Sequence, residues 1–141
     1  MKTSIYSDEL FPIIKNELEE GKTVSFTVSG TSMRPFLKDK KSQVSIKKAS
    51  SYKKYDIILY ENHAKKMVLH RIVKGENPFT VYGDALRVKE LVYMNQIVGK
   101  VISIKTADKT KNPNHWFYQL KVKLWILLRP FRRLLLKLIR K

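Results

Sequence analysis

The chain has 141 residues, of which 43% are hydrophobic, and it contains no cysteine. This length fits one domain with a short appendage, and the apolar share excludes wholesale disorder. The lack of cysteine excludes disulfides, zinc–thiolate sites and thiol catalysis. The formal net charge of +17 predicts attraction to polyanions, either nucleic acid or an anionic lipid surface.

The N-terminal part predicts a short amphipathic helix over residues 8–20, because its apolar residues recur at helical spacing. Pro12 indicates that the regular part begins late, and Gly21 marks its end. The first residues lack the apolar segment of a secretory signal peptide. No run of about 18 apolar residues occurs, so a membrane-spanning helix is not expected.

Short apolar or alternating runs, separated by turn residues, predict β-strands from Lys22 to about Lys105. These runs are residues 24–28, 44–46, 55–60, 67–73, 79–82 and 97–104. No helical pattern lies between them. The sequence therefore predicts a mainly β, antiparallel body that is barrel-like or a sandwich.

The C-terminal part differs in composition from the body. Residues 106–114 are polar and predict a linker, and from Trp116 onward the pattern is helical, with a break at Pro130. No acidic residue follows Asp108, whereas lysines and arginines alternate with apolar residues. This pattern predicts basic amphipathic helices on an anionic membrane surface over residues 114–141. A helix packed on the body or on a partner protein is the alternative.

The residue types needed for acyl transfer follow one another along the body. Ser32 follows the first predicted strand, His70 lies within a strand, and Asp84 lies in a Gly-Asp turn. A serine hydroxyl needs a base to take its proton, and histidine is the natural base at neutral pH. A carboxylate then orients the imidazole, and Glu90 is a second candidate beside Asp84. Each residue also has a plainer structural explanation in a turn or strand.

Taken in this order, the segments resemble the signal peptidase family of serine endopeptidases. The matching segments are residues 30–37 (Gly-Thr-Ser-Met-Arg-Pro-Phe-Leu), 54–60, 69–72, 83–84 and 97–101. The resemblance covers roughly residues 22–104 and implies the protease fold shared with self-cleaving repressors. It implies that Ser32 is the nucleophile and His70 the base, as in the endoplasmic-reticulum and archaeal-like members. Bacterial housekeeping members carry lysine there. The acidic positions of that branch match Asp84 and Glu90.

The resemblance also implies the rest of the site. The backbone N–H of Ser32 and a group of Thr31 would bind the oxyanion, and Met33 would be a buried anchor beside the nucleophile. Gly30 stands where many members carry a serine that assists the oxyanion hole. No cofactor and no metal are expected. Family members usually have an N-terminal membrane anchor, and the basic C-terminal segment is expected to replace it.

We therefore expect a serine peptidase domain over residues 1–106, followed by a linker and membrane-surface helices over residues 107–141. The predicted function is a peripherally membrane-associated serine endopeptidase that cleaves a precursor or leader peptide after small side chains. One alternative is a catalytically weak or silent peptide-binding or assembly module on the same fold. Another is nucleic-acid binding through the net charge, although no specific nucleic acid is expected because the body lacks a recognition motif.

Overall fold

The structure, a computed structural model, describes residues 10–86, 88–107 and 109–128. These residues form eight strands and two helices. The helices are α1 (Phe11–Glu19) and α2 (Trp116–Leu127). The strands are β1 (Val24–Thr27), β2 (Ser42–Lys47), β3 (Ile57–Glu61), β4 (Met67–Lys74), β5 (Phe79–Tyr82), β6 (Glu90–Val92), β7 (Ile97–Thr106) and β8 (Lys109–Lys111).

All eight strands pair antiparallel in one sheet. Their order is β1-β2-β7-β3-β4-β5-β6, and β8 pairs with the end of β7. The predicted mainly β, antiparallel body is confirmed. The prediction of a barrel-like sheet is wrong, because β1 and β6 do not pair and remain the two edges of an open sheet. After the short β6, a 3-10 turn over Met94–Gln96 returns the chain to β7 in the middle of the sheet.

The sheet buries apolar side chains on both of its faces, because successive residues of a strand point to opposite sides. The helix face carries the larger cluster, in which Ile57 and Leu59 of β3 pack with residues of α1 and α2. The opposite face carries the smaller cluster, which includes Ile58 and Tyr60 of β3. Any two neighbouring residues of a strand are therefore divided between the two faces.

Two strands were not predicted from the sequence. β6 has only three residues and exposes Leu91, so it shows little alternation. β8 lies within the predicted linker over residues 106–114, and all three of its side chains are exposed. Both strands are held by backbone pairing to a neighbour. That pairing leaves no hydrophobic pattern in the sequence.

Helix α2 packs on the body. The sequence left this packing as the alternative to a helix on a membrane surface. Its side chains Tyr118, Val122 and Trp125 are buried, and the first two join the cluster of the helix face. Within the described residues, neither helix is long and apolar enough to cross a bilayer. The predicted segment after Pro130 and the start of the first predicted helix lie outside the described residues.

Candidate active site

Ser32 lies in the loop that connects β1 with β2. Gly30 begins this loop with φ +102°, a backbone conformation that favours glycine. Its N–H donates to the Asp39 carboxylate at 2.7 Å. The N–H of Arg34 donates to the carbonyl of Thr31 at 3.2 Å. These bonds fix the backbone on both sides of the serine.

The turn after β5 holds the serine from the other side. The N–H of Ala85 donates to the carbonyl oxygen of Ser32 at 2.8 Å, and the N–H of Asp84 donates to Met33 Sδ at 3.4 Å. A Cβ atom at Gly83 would lie 2.6 Å from the Ser32 carbonyl oxygen and 3.0 Å from Ser32 Cβ. Glycine is therefore required at this position. Met33 is 4% exposed, which places it as the expected buried anchor.

The sheet register brings Ser32 to the face on which His70 lies. β4 and β5 pair Arg71 with Tyr82, so one further step sets Gly83 opposite His70. Opposite residues of an antiparallel pair project to the same face, with Cβ atoms about 4.5–5.5 Å apart. Ser32 fills the space where a Gly83 side chain would stand. Ser32 therefore packs against the backbone one step beyond the Arg71–Tyr82 pair, on the side of the sheet that carries His70.

The imidazole of His70 is a neutral, largely buried group. Its Nδ1 lies 3.2 Å from the hydroxyl of Tyr60, and the two rings meet edge to face at 6.1 Å. Burial lowers the pKa of His70 from 6.5 to about 4, so the ring is free to accept a proton at neutral pH. Neither Nε2 of His70 nor Oγ of Ser32 forms a hydrogen bond with the described residues. Such bonds often tighten only when substrate is bound.

Glu90 lies on the same face as His70. It pairs with Val81, and Val81 pairs with Ile72, two residues beyond His70 on β4. Its Oε1 is buried and has no hydrogen-bond partner among the residues that the structure describes. The pKa of Tyr60 is raised by burial first, and then by the charge and hydrogen bond of Glu90. The hydroxyl of Tyr60 is therefore next to His70 and within the influence of the Glu90 charge.

Asp84 forms a buried ion pair with Arg71. Arg71 Nε donates to Oδ1 at 2.8 Å and Nη2 donates to Oδ2 at 2.9 Å, and both residues are at most 2% exposed. Arg71 Nη2 also donates to the hydroxyl of Tyr118 at 2.8 Å. Burial alone would lower the pKa of Arg71, but the contacts with Asp84 and Tyr118 outweigh burial and raise it.

This ion pair separates the two acidic residues that the sequence proposed as orienters of the base. Arg71 follows His70 directly and points to the helix face, and Asp84 is bonded to it there. Glu90 is on the opposite face, with Tyr60 and His70. His70 and Glu90 therefore share one face of the sheet, whereas Asp84 lies on the other face, where its ion pair supports the turn that carries Gly83.

Helix α2 contacts both the serine loop and the Gly-Asp turn. Trp125 Nε1 donates to the carbonyl oxygen of Asp84 at 2.5 Å. Phe36, from the serine loop, packs edge to face on Tyr118 and Trp125, with ring centroids 5.5 and 6.5 Å apart. The guanidinium of Arg71 lies 5.0 Å from the centre of the Phe36 ring. One aromatic cluster thus joins α2, the serine loop and the Gly-Asp turn.

The sequence alone assigned no role to Arg71, Tyr60, Tyr118 or Trp125. A signal for Arg71 was present, since an arginine inside an apolar strand is almost never buried without a partner. No comparable signal marked the three aromatic residues. Their roles depend on which strands and helices meet in space.

Two backbone N–H groups of the serine loop have no hydrogen-bond acceptor among the described residues. The N–H groups of Ser32 and Met33 donate no hydrogen bond within the described part of the chain. Thr31 is exposed, so its side chain adds a hydroxyl beside the serine. The resemblance implied the Ser32 N–H and a group of Thr31 as oxyanion donors, and the Met33 N–H is an addition from the structure.

The chain matches no protein-family model, and a search of curated proteins finds no match either.

Proposed function

We propose that the protein is a serine endopeptidase of the signal peptidase type, with Ser32 as nucleophile and His70 as general base. The contact at Gly83 carries the proposal, because it sets Ser32 on the face of the sheet where His70 lies. The neutral imidazole and the unbonded N–H groups of Ser32 and Met33 support it. The substrate is a peptide or precursor protein with small side chains one and three residues before the cut.

The reaction follows from these groups. Ser32 Oγ attacks the scissile carbonyl carbon while its proton passes to Nε2 of His70. The oxyanion accepts hydrogen bonds from the N–H groups of Ser32 and Met33. The C–N bond then breaks, and the leaving amine takes the proton from His70. A water molecule that gives its proton to His70 hydrolyses the resulting ester on Ser32.

Glu90 and Tyr60 set the tautomer of the base in this proposal. The oxygen of the Tyr60 hydroxyl accepts the proton on Nδ1 of His70 at 3.2 Å, and the charge of Glu90 acts on the same hydroxyl. This arrangement leaves Nε2 without a proton and directed to the serine. The negative charge of Glu90 also stabilises the imidazolium that forms during the reaction.

Glu90→Gln and Tyr60→Phe test this arrangement. Each is expected to lower kcat about 10- to 100-fold with KM little changed, the size of effect seen when an orienting partner of a functional histidine is lost. Steady-state cleavage of a precursor peptide measures both constants. Glu76→Gln, at an exposed position of the loop after β4, is the matched control. Equal kcat values for Glu90→Gln and Glu76→Gln would contradict the role of Glu90.

The pH dependence of cleavage tests the base. His70 must be neutral to accept the serine proton, and its pKa is lowered to about 4. We expect kcat/KM for a precursor peptide to stay level as the pH falls from about 7 to about 5, and to fall tenfold per unit below about 4. Circular dichroism at each pH shows whether the chain stays folded. A half-maximal rate near the ordinary value of 6.5 would contradict a buried base.

We also propose that α2 lies on an anionic membrane surface. Its outward side exposes Trp116, Leu120, Leu124 and Leu127. At 100° per residue, these side chains form one stripe, and the exposed Lys121 and Lys123 lie along its two borders. Lysines beside an apolar stripe are typical of helices that lie among lipid headgroups. The net charge of +17 supports an anionic surface as the partner.

A second candidate function is a catalytically silent peptide-binding module on the same fold. The observation that favours it is that Ser32 Oγ and His70 Nε2 form no hydrogen bond with each other. Such a module would bind the precursor peptides without cleaving them. Mass spectrometry of the peptides after incubation with the protein distinguishes the two functions.

A further inference from the structure

A cationic pocket lies where β8 meets the first turn of α2. Its volume is about 370 Å³, and Lys111, His115 and Lys121 line it together with Thr110, Asn112 and the ring of Phe117. No acidic side chain lines it among the described residues. Small-ligand sites commonly have volumes of about 300–1,000 Å³. The pocket can therefore hold a small anionic group.

Lys111 and Lys121 line this pocket, and Lys109 and Lys38 are near enough for their charges to act on Lys111. Lys109 and Lys111 are alternate residues of β8 and so point to the same side. The Nζ of Lys121 lies 4.7 Å from the centre of the Phe117 ring. The pKa of Lys111 is lowered by burial first, and then by the charges of Lys121, Lys109 and Lys38. Like charges held together raise the free energy of the unliganded protein, and a bound anion would relieve this repulsion.

The pocket opens beside the surface that we assign to the membrane. Trp116 and Phe117 are 71% and 49% exposed, and their ring centroids lie 5.6 Å apart. Exposed aromatic side chains of this kind sit at the level of the lipid headgroups. Lys121 borders both the pocket and the exposed apolar stripe of α2. A headgroup at the membrane surface could thus reach the lysines directly.

We propose that this pocket binds the phosphate of an anionic lipid headgroup, with Lys111 and Lys121 as the cations that contact it. Each ammonium group offers three donors to phosphate oxygens. The side chains of Thr110 and Asn112 add neutral donors. The inference rests on the membrane-surface part of the proposed function and is independent of catalysis.

Vesicle binding by the full chain tests this site, with Lys121→Gln and Lys123→Gln as a matched pair. Both lysines are exposed, both flank the apolar stripe, and only Lys121 lines the pocket. On vesicles of phosphatidylcholine with phosphatidylglycerol, Lys123→Gln is expected to weaken binding about fivefold, the effect of one charge near an anionic surface. Lys121→Gln and Lys111→Gln are expected to weaken it about tenfold more, because each also loses a charge-assisted hydrogen bond.

Binding experiments with other vesicles, inorganic phosphate and DNA identify the ligand. Vesicles made anionic with oleate, at matched zeta potential, are expected to bind more weakly and to respond equally to Lys121→Gln and Lys123→Gln. Equal losses on phosphatidylglycerol would overturn the pocket and leave membrane association standing. Binding of inorganic phosphate or of a DNA duplex, without vesicle binding, would overturn the lipid assignment. Peptide cleavage in solution, measured separately, reports on the catalytic proposal. Thermal unfolding verifies that the variants fold.

Discussion

Ser32→Ala and His70→Ala are each expected to lower kcat/KM for a precursor peptide by about 10⁴-fold or more. Ser32 supplies the nucleophile, and without His70 its hydroxyl keeps its proton. Because the two side chains act as one unit, the double variant is expected to lose little more than either single variant. Chromatography and mass spectrometry of the cleavage products measure these losses.

Ser29→Ala provides the matched control for the nucleophile. Ser29 is an exposed serine three residues before Ser32, at the start of the same loop, and its replacement is expected to leave cleavage unchanged. If Ser32→Ala keeps activity within tenfold of the original chain, Ser32 is not the nucleophile. If His70→Ala does so, the base is another group.

Asp84→Ala is expected to lower the free energy of unfolding by about 3–5 kcal/mol, because it leaves Arg71 charged and unpaired in the interior. The loss reflects the buried guanidinium rather than the net value of the ion pair. Replacing both residues, as in Arg71→Met with Asp84→Leu, is expected to recover much of it, since apolar substitutes for a buried pair are often neutral. Urea unfolding measures both variants.

An exposed ion pair serves as the comparison for this stability prediction. Lys22 contacts Glu20 at 3.0 Å on the surface, and Lys22→Gln is expected to change the unfolding midpoint little. A loss for Asp84→Ala as small as the loss for Lys22→Gln would show that Arg71 finds water or another partner. That result would remove the support that the ion pair gives to the turn carrying Gly83.

The local pattern of the chain predicted the parts of the fold that local patterns encode. Alternating and apolar runs located six of the strands, because each buries side chains on at least one face. The same reasoning set Ser32 after β1 and His70 within β4. Pairing by backbone alone leaves no such pattern, which is why β6 and β8 were not predicted.

The sequence could not decide whether Asp84 or Glu90 lies on the same face of the sheet as His70. Asp84 and Glu90 are both at plausible distances along the chain, and the choice depends on which face of the sheet each side chain reaches. That face is set by the pairing of β4 with β5 and of β5 with β6. Tyr60 was missed for the same reason, since only the pairing of β3 with β4 sets its hydroxyl beside His70.

The proposed function requires that Ser32 becomes acylated during turnover. An acid-quenched reaction detects this acyl-enzyme. The protein is mixed with an activated ester of a short peptide ending in small residues, quenched in acid and examined by intact-mass and peptide-mapping mass spectrometry. One acyl group is expected on Ser32 of the original chain and none on Ser32→Ala. Turnover without an acyl group on Ser32, or acylation of another residue that persists in Ser32→Ala, would contradict it.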